Sequence, residues 1–119
     1  MPDSPTSPEE LTPLAPQVFH ILVSLADRDQ HGYAIMQDVA ARTNGRIRMS
    51  AGTLYGSIQR MQEQGLIEEV RHRRSEGEDE RRRYYRLTKF GRRVASAEVS
   101  RLDEALRQAR ANGILPSQA

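Results

Sequence analysis

Cysteine and tryptophan are both absent from the 119 residues, aromatic residues make up only 5%, and lysine occurs once, as Lys89. Without cysteine, disulfides, thiolate chemistry, thiol-based oxidant sensing and cysteine-ligated zinc are all excluded. No apolar run approaches the roughly 20 residues needed to span a bilayer, so no membrane partner is expected. The first residues lack the basic and apolar segments of a secretory signal, which makes the cytoplasm the expected location. The hydrophobic fraction, 37%, is low for a self-sufficient monomer. A chain this polar either has disordered ends or completes its core across a subunit interface.

Catalytic apparatus is missing as well. The three histidines, His20, His31 and His72, are far apart and fall on different segments. None stands at metal-ligand spacing with a carboxylate on a shared helix face. No glycine-rich phosphate loop or nucleophile elbow is present. The expectation is a protein that is not an enzyme and carries no metal or cofactor.

What the sequence does have is arginine, and in one place. Residues 1–41 hold a single arginine against six acids, whereas residues 42–93 hold fourteen basic residues against seven acids; residues 94–119 balance at three of each. A basic block of this kind is what a phosphate-facing surface requires. The planar guanidinium grips phosphate or guanine bidentately, which lysine cannot do. A GC-rich genome favouring arginine on an ordinary solvated surface would account for the bias, though less readily for the clustering.

Along the chain, Pro2, Pro5 and Pro8 among Ser, Thr and acids predict a disordered leader over residues 1–12. Val18, Ile21, Leu22 and Leu25 then recur at i, i+3, i+4 and i+7, predicting a helix from Pro13 or Pro16 to about Asp27. A polar loop over Asp27–Gln30 precedes a second helix from about His31 to Thr43, burying Tyr33, Met36, Val39 and Ala40 and stopped at Asn44-Gly45. Ser50 is a good N-cap for a third helix whose Leu54, Ile58 and Met61 point inward, with Gly65 closing it. Leu66–Val70 and Tyr84–Leu87 flank a polar, glycine-containing centre and predict a hairpin, with Tyr85 and Leu87 on one face and Tyr84 and Arg86 on the other. Thr88 can cap a last helix from about Lys89 to Asn112, with Gly113 as its stop. On it Ala95, Val99, Leu102, Leu106 and Ala109 follow the 4-3-4-3 spacing of a coiled-coil contact over barely two heptads. The expected fold is therefore mainly α with a small β-hairpin. It comprises a winged helix-turn-helix domain over 13–88, a C-terminal dimerisation helix over 89–113 and a tail over 114–119.

In that architecture the third helix enters DNA. Thr53, Ser57 and Arg60 are expected to lie away from its core face, with Gln59 at the margin. Small hydroxyl residues near a helix N-terminus suit close approach to phosphate, and Arg60 and Gln59 are long enough to reach base edges. The hairpin supplies further candidates, Arg71, Arg73 and Arg74 on one arm and Arg82 and Arg83 on the other. Its tip, Glu76-Gly77-Glu78-Asp79-Glu80, would be repelled by phosphate, and these acids pairing with neighbouring arginines is the competing role for the arginines. Phe19 and Leu22 join Ala95, Val99, Leu102, Leu106 and Ala109 as expected dimerisation residues.

Several of these segments resemble the PadR-like family of transcription regulators. Ser50-Ala51-Gly52-Thr53-Leu54-Tyr55-Gly56 resembles the family's gtLYp signature, and His31-Gly32-Tyr33 opens the second helix as the family does. Met61 through Ile67 and Arg83-Tyr84-Tyr85-Arg86-Leu87-Thr88 followed by Gly91 match two further junctions, so the likeness covers about residues 14–95. It implies a dimeric repressor of nearby genes that binds duplex DNA and often responds to a small-molecule effector. It also implies that Ser50, Thr53 and Tyr55 touch the DNA backbone. Gly56 departs from the family's proline, and the missing tryptophan removes the platform on which some compact members stack flat aromatic drugs. The alternative is a winged-helix module for protein–protein contact, its arginines tied up in ion pairs.

Overall fold

Pro16 occupies the first turn of α1 (Pro16–Asp27), where its missing N–H costs nothing because that donor has no helical acceptor. A two-residue strand β1 (Gln30–His31) leads into α2 (Gly32–Arg42), then α3 (Ala51–Glu63), β2 (Ile67–Val70), β3 (Tyr84–Leu87) and α4 (Lys89–Ala111). The computed structural model describes residues 6–71 and 83–115. The architecture is the expected one, mainly helical with a small antiparallel sheet, but the sheet has three strands in the order β1-β3-β2.

One core joins all the elements. Ile21, Leu22 and Leu25 of α1 meet Ile35 and Val39 of α2 and Leu54, Ile58 and Met61 of α3. Leu66, Ile67, Tyr85 and Leu87 close it from the sheet side and Val94 from α4. In β3 the alternation is as predicted, with Tyr85 and Leu87 buried and Tyr84 and Arg86 turned outward. Its register pairs Ile67 with Leu87 and Val70 with Tyr84.

The junction between sheet and α4 is tight. The Thr88 hydroxyl caps α4 by accepting from Gly91 N–H at 2.8 Å and itself donates to the Gly65 carbonyl at 2.6 Å. Gly91 must be glycine here, because a Cβ at that position would run into the Leu66 carbonyl. The first turns of α4 are thereby pinned to the start of β2. From Val99 onward the helix leaves the body of the protomer, and every residue to Ala111 is exposed except the half-buried Ala109.

The structure corrects four expectations. Residues 27–30 are not all loop: Gln30 and His31 pair with Tyr85 and Tyr84. The polar Gln30 gave no strand signal, yet it is buried because its side-chain amide donates to the Ser24 carbonyl (2.8 Å) and Ser24 Oγ (2.7 Å). Tyr33 is exposed; the inward stripe of α2 is Gly32, Ile35 and Val39, with Met36 and Ala40 at its margins. Residues 33 and 35 lie about 200° apart around a helix and cannot share that face. The leader is not wholly without a packed role, since Pro8–Leu11 forms a 3₁₀ turn and Leu11 and Leu14 pack against the core. Leu14 N–H donates to the buried Glu98 carboxylate of α4 at 3.2 Å. Finally, Leu22 is fully buried within one protomer, so it belongs to the protomer's own core and not to an exposed dimer face. It lies four residues after Val18 and three before Leu25, on the inward stripe of α1. Ala95 also packs against that core, and Phe19 is half-buried.

Candidate nucleic-acid interface

The α3 N-terminus is built by Ser50, whose extended backbone (φ −72°, ψ 164°) starts the helix while its Oγ accepts from Thr53 N–H at 3.1 Å. The same hydroxyl lies 3.2 Å from Thr53 Oγ1, so the two candidate hydroxyls stand side by side, both exposed. Leu54, Ser57, Ile58 and Met61 face inward. Thr53 and Arg60 face outward, as expected, and Tyr55 and Gln59 are exposed as well.

Ser57 is the correction. It lies three residues after Leu54 and four before Met61, on the buried stripe, where a polar side chain gives no inward signal. Its Oγ is buried with no hydrogen-bond partner among the described residues. Enclosed by the core side of α3, it does not belong to the helix's outer face.

Tyr55 retains 47% of its exposure, but its ring also covers Gly32 at the start of α2, where any Cβ would overlap the phenol ring and hydroxyl. This contact locks the N-termini of the two helices together. Sequence spacing carries no sign of it, because it joins residues from separate helices. His31 reinforces the same corner. Its Nδ1 caps α2 by accepting from Ala34 N–H at 3.3 Å, and its ring meets Tyr84 edge to face. The Arg60 side chain runs back toward the helix N-terminus: one terminal nitrogen lies 4.0 Å from where a Gly56 Cβ would stand.

On the hairpin, Arg71 and Arg83 are exposed where β2 ends and just before β3 begins. Arg83 lies 4.0 Å from Glu69, a loose pair between exposed groups that contributes little. Burial pushes the Tyr85 phenol up, with Glu69 adding to the effect and Arg83 opposing it. Arg86 is committed within the protomer, donating to Asp29 at 3.1 and 3.5 Å. Arg73, Arg74 and Arg82, with the acidic tip Glu76, Glu78, Asp79 and Glu80, lie outside the described residues. Among the described residues no group of histidine, aspartate and glutamate side chains is arranged to hold a metal, and no helix is long and apolar enough to cross a membrane.

The sequence matches the Transcriptional regulator PadR-like family over residues 21–97, from the core of α1 into α4. An uncharacterised protein of Lysinibacillus sphaericus is 34% identical over 76 residues, 64% of this chain and 68% of that protein. A transcriptional regulator from Clostridium thermocellum superimposes with a TM-score of 0.67 at 24% identity, covering 83% of this chain and 90% of its own. A PadR family transcription regulator from Clostridium difficile R20291 gives 0.68 at 23% identity, covering 82% and 97%. At those identities the two structures speak for the fold, and the family match speaks for the role. With its capped third helix, three-stranded sheet and long C-terminal helix, the chain belongs to the PadR-like family of transcriptional regulators.

Proposed function

We propose that the protein is a cytoplasmic repressor that binds duplex DNA as a homodimer, placing α3 of each protomer in the major groove. The observation that carries this reading is the outer face of α3. Ser50, Thr53 and Tyr55 crowd its N-terminus, Gln59 and Arg60 follow, and no acid occurs between residues 43 and 62. Ser50, Thr53 and Tyr55 hold phosphate, Gln59 and Arg60 read base edges, and Arg71, Arg73, Arg74, Arg82 and Arg83 follow the backbone from the wing.

Dimerisation uses α4. Val99, Leu102 and Leu106 are 52%, 42% and 44% exposed on one stripe, with Ala109 continuing it and Phe19 and Ala95 at its base. A second copy related by a twofold axis is the natural cover for a self-complementary stripe of this kind. It sets two recognition helices about 34 Å apart on a palindromic site. A small-molecule effector acts by changing that separation.

The test is a titration against duplex from the region upstream of the protein's own gene at two salt concentrations, beside Arg60→Ala. Tight binding that weakens steeply with salt, and loses sequence preference in the variant, is expected. Absence of binding at low salt would sink the reading and favour a protein-binding module. The Arg86–Asp29 pair is the observation on that side.

A further inference from the structure

The segment between α2 and α3 has a regular pattern of its own. Exposure alternates through it: Arg46, Arg48 and Ser50 are exposed, while Ile47 and Met49 are half-buried against the core. That alternation leaves the two arginines and the α3 cap open to solvent along one short strip of chain, which starts where the Arg46 N–H donates to the Thr43 carbonyl at 3.0 Å.

The described arginines divide into those spent on ion pairs and those that are not, the latter including Arg60, Arg71, Arg92, Arg93 and Arg110. Arg28, Arg42, Arg86, Arg101 and Arg107 each lie beside an aspartate or glutamate. Arg46 and Arg48 have no ion-pair partner among the described residues. The strip is held in place at both ends. Thr43 Oγ1 accepts from Ile47 N–H at 3.0 Å, and Ser50 caps α3. The Arg48 guanidinium folds back toward Gly45, one terminal nitrogen 3.0 Å from where a Cβ there would stand.

We propose that Arg46 and Arg48 form a phosphate clamp, gripping the backbone of the DNA strand that flanks the groove α3 enters and so setting the register of the recognition helix. The inference rests on the DNA-binding reading above. The clamp contributes affinity without sequence information, because phosphates are the same at every step. It is separate from Gln59 and Arg60, which face the bases from further along α3.

The experiment compares wild type with the Arg46→Ala/Arg48→Ala double variant on two probes, the upstream duplex and a mixed-sequence duplex of equal length, across a salt series. The expected result is a loss of affinity by the same factor on both probes. The slope of log K against log salt flattens by about 1.8 per bound protomer, at about 0.9 per phosphate released. Both side chains are exposed, so the unfolding midpoint stays at the wild-type value; Arg46→Gln/Arg48→Gln carries the same test should the alanine pair melt early. A slope unchanged in a variant that still folds, with wild type binding normally, overturns the clamp and leaves the DNA-binding reading intact. Loss of preference between the probes without a change of slope also overturns it, making the pair base readers. Failure of wild type to bind either duplex removes the underlying reading and the clamp with it.

Discussion

Ser57 shows how a single atom separates two roles for one residue. Its hydroxyl sits on the core stripe of α3 with no hydrogen-bond partner among the described residues, and a buried hydroxyl in that state costs about 1–3 kcal/mol. Ser57→Ala keeps the helix and removes the orphaned oxygen. We expect it to raise stability by about 1 kcal/mol, read as a higher urea midpoint, with DNA affinity unchanged. A loss of affinity without a gain in stability would return Ser57 to the interface. Polarity had suggested the outer face, and only the phase of the helix relative to Leu54, Ile58 and Met61 shows otherwise.

Between elements, the least anticipated contact is the one that ties the N-terminal segment to α4. Glu98 is buried, yet it is charged-compatible because Arg101 donates to it at 2.6 and 3.0 Å and Leu14 N–H at 3.2 Å. The Arg101 guanidinium holds the Glu98 carboxyl below its ordinary value, against the opposing effect of burial and with help from Leu14. In α2, burial pushes the Asp38 carboxyl up, but Ser24 and Arg42 together leave it below its ordinary value. Both carboxyls are more acidic folded than unfolded. Their stabilisation is fully present above the ordinary carboxylate range and fades as pH falls through it toward the folded values. Glu98→Gln should therefore cost about 1–2 kcal/mol near neutrality. Its deficit against wild type should shrink below pH about 4, as followed by thermal unfolding across pH. A deficit independent of pH would show that packing, not charge, holds the segment.

For the whole molecule, the projecting half of α4 is the feature that a single protomer does not explain. A stripe of Val99, Leu102 and Leu106 left in water costs apolar hydration that a second copy would remove, at about 25 cal/mol per Å² buried. Leu102→Arg should convert a dimer to a monomer in sedimentation velocity, weaken DNA binding, and abolish the dependence of Tm on protein concentration expected of wild type. A variant that stays dimeric would move the interface away from α4.

Local rules account for the helices, their caps and the inward apolar residues of α3 and β3. A serine or threonine hydroxyl reaches a backbone N–H three residues on, and apolar residues repeat at the period of their own element. Ser50, Thr88, Leu54, Ile58, Tyr85 and Leu87 were legible for that reason, and so were Thr53 and Arg60 on the outward face of α3, though Ser57 was not. Contacts between distant segments had no such signal. The third strand at Gln30–His31, the Tyr55 ring over Gly32 and the pairing of Arg86 with Asp29 arise only when segments far apart in the chain meet. In each, a side chain's environment is set by an element far along the chain, which periodicity within one segment does not encode.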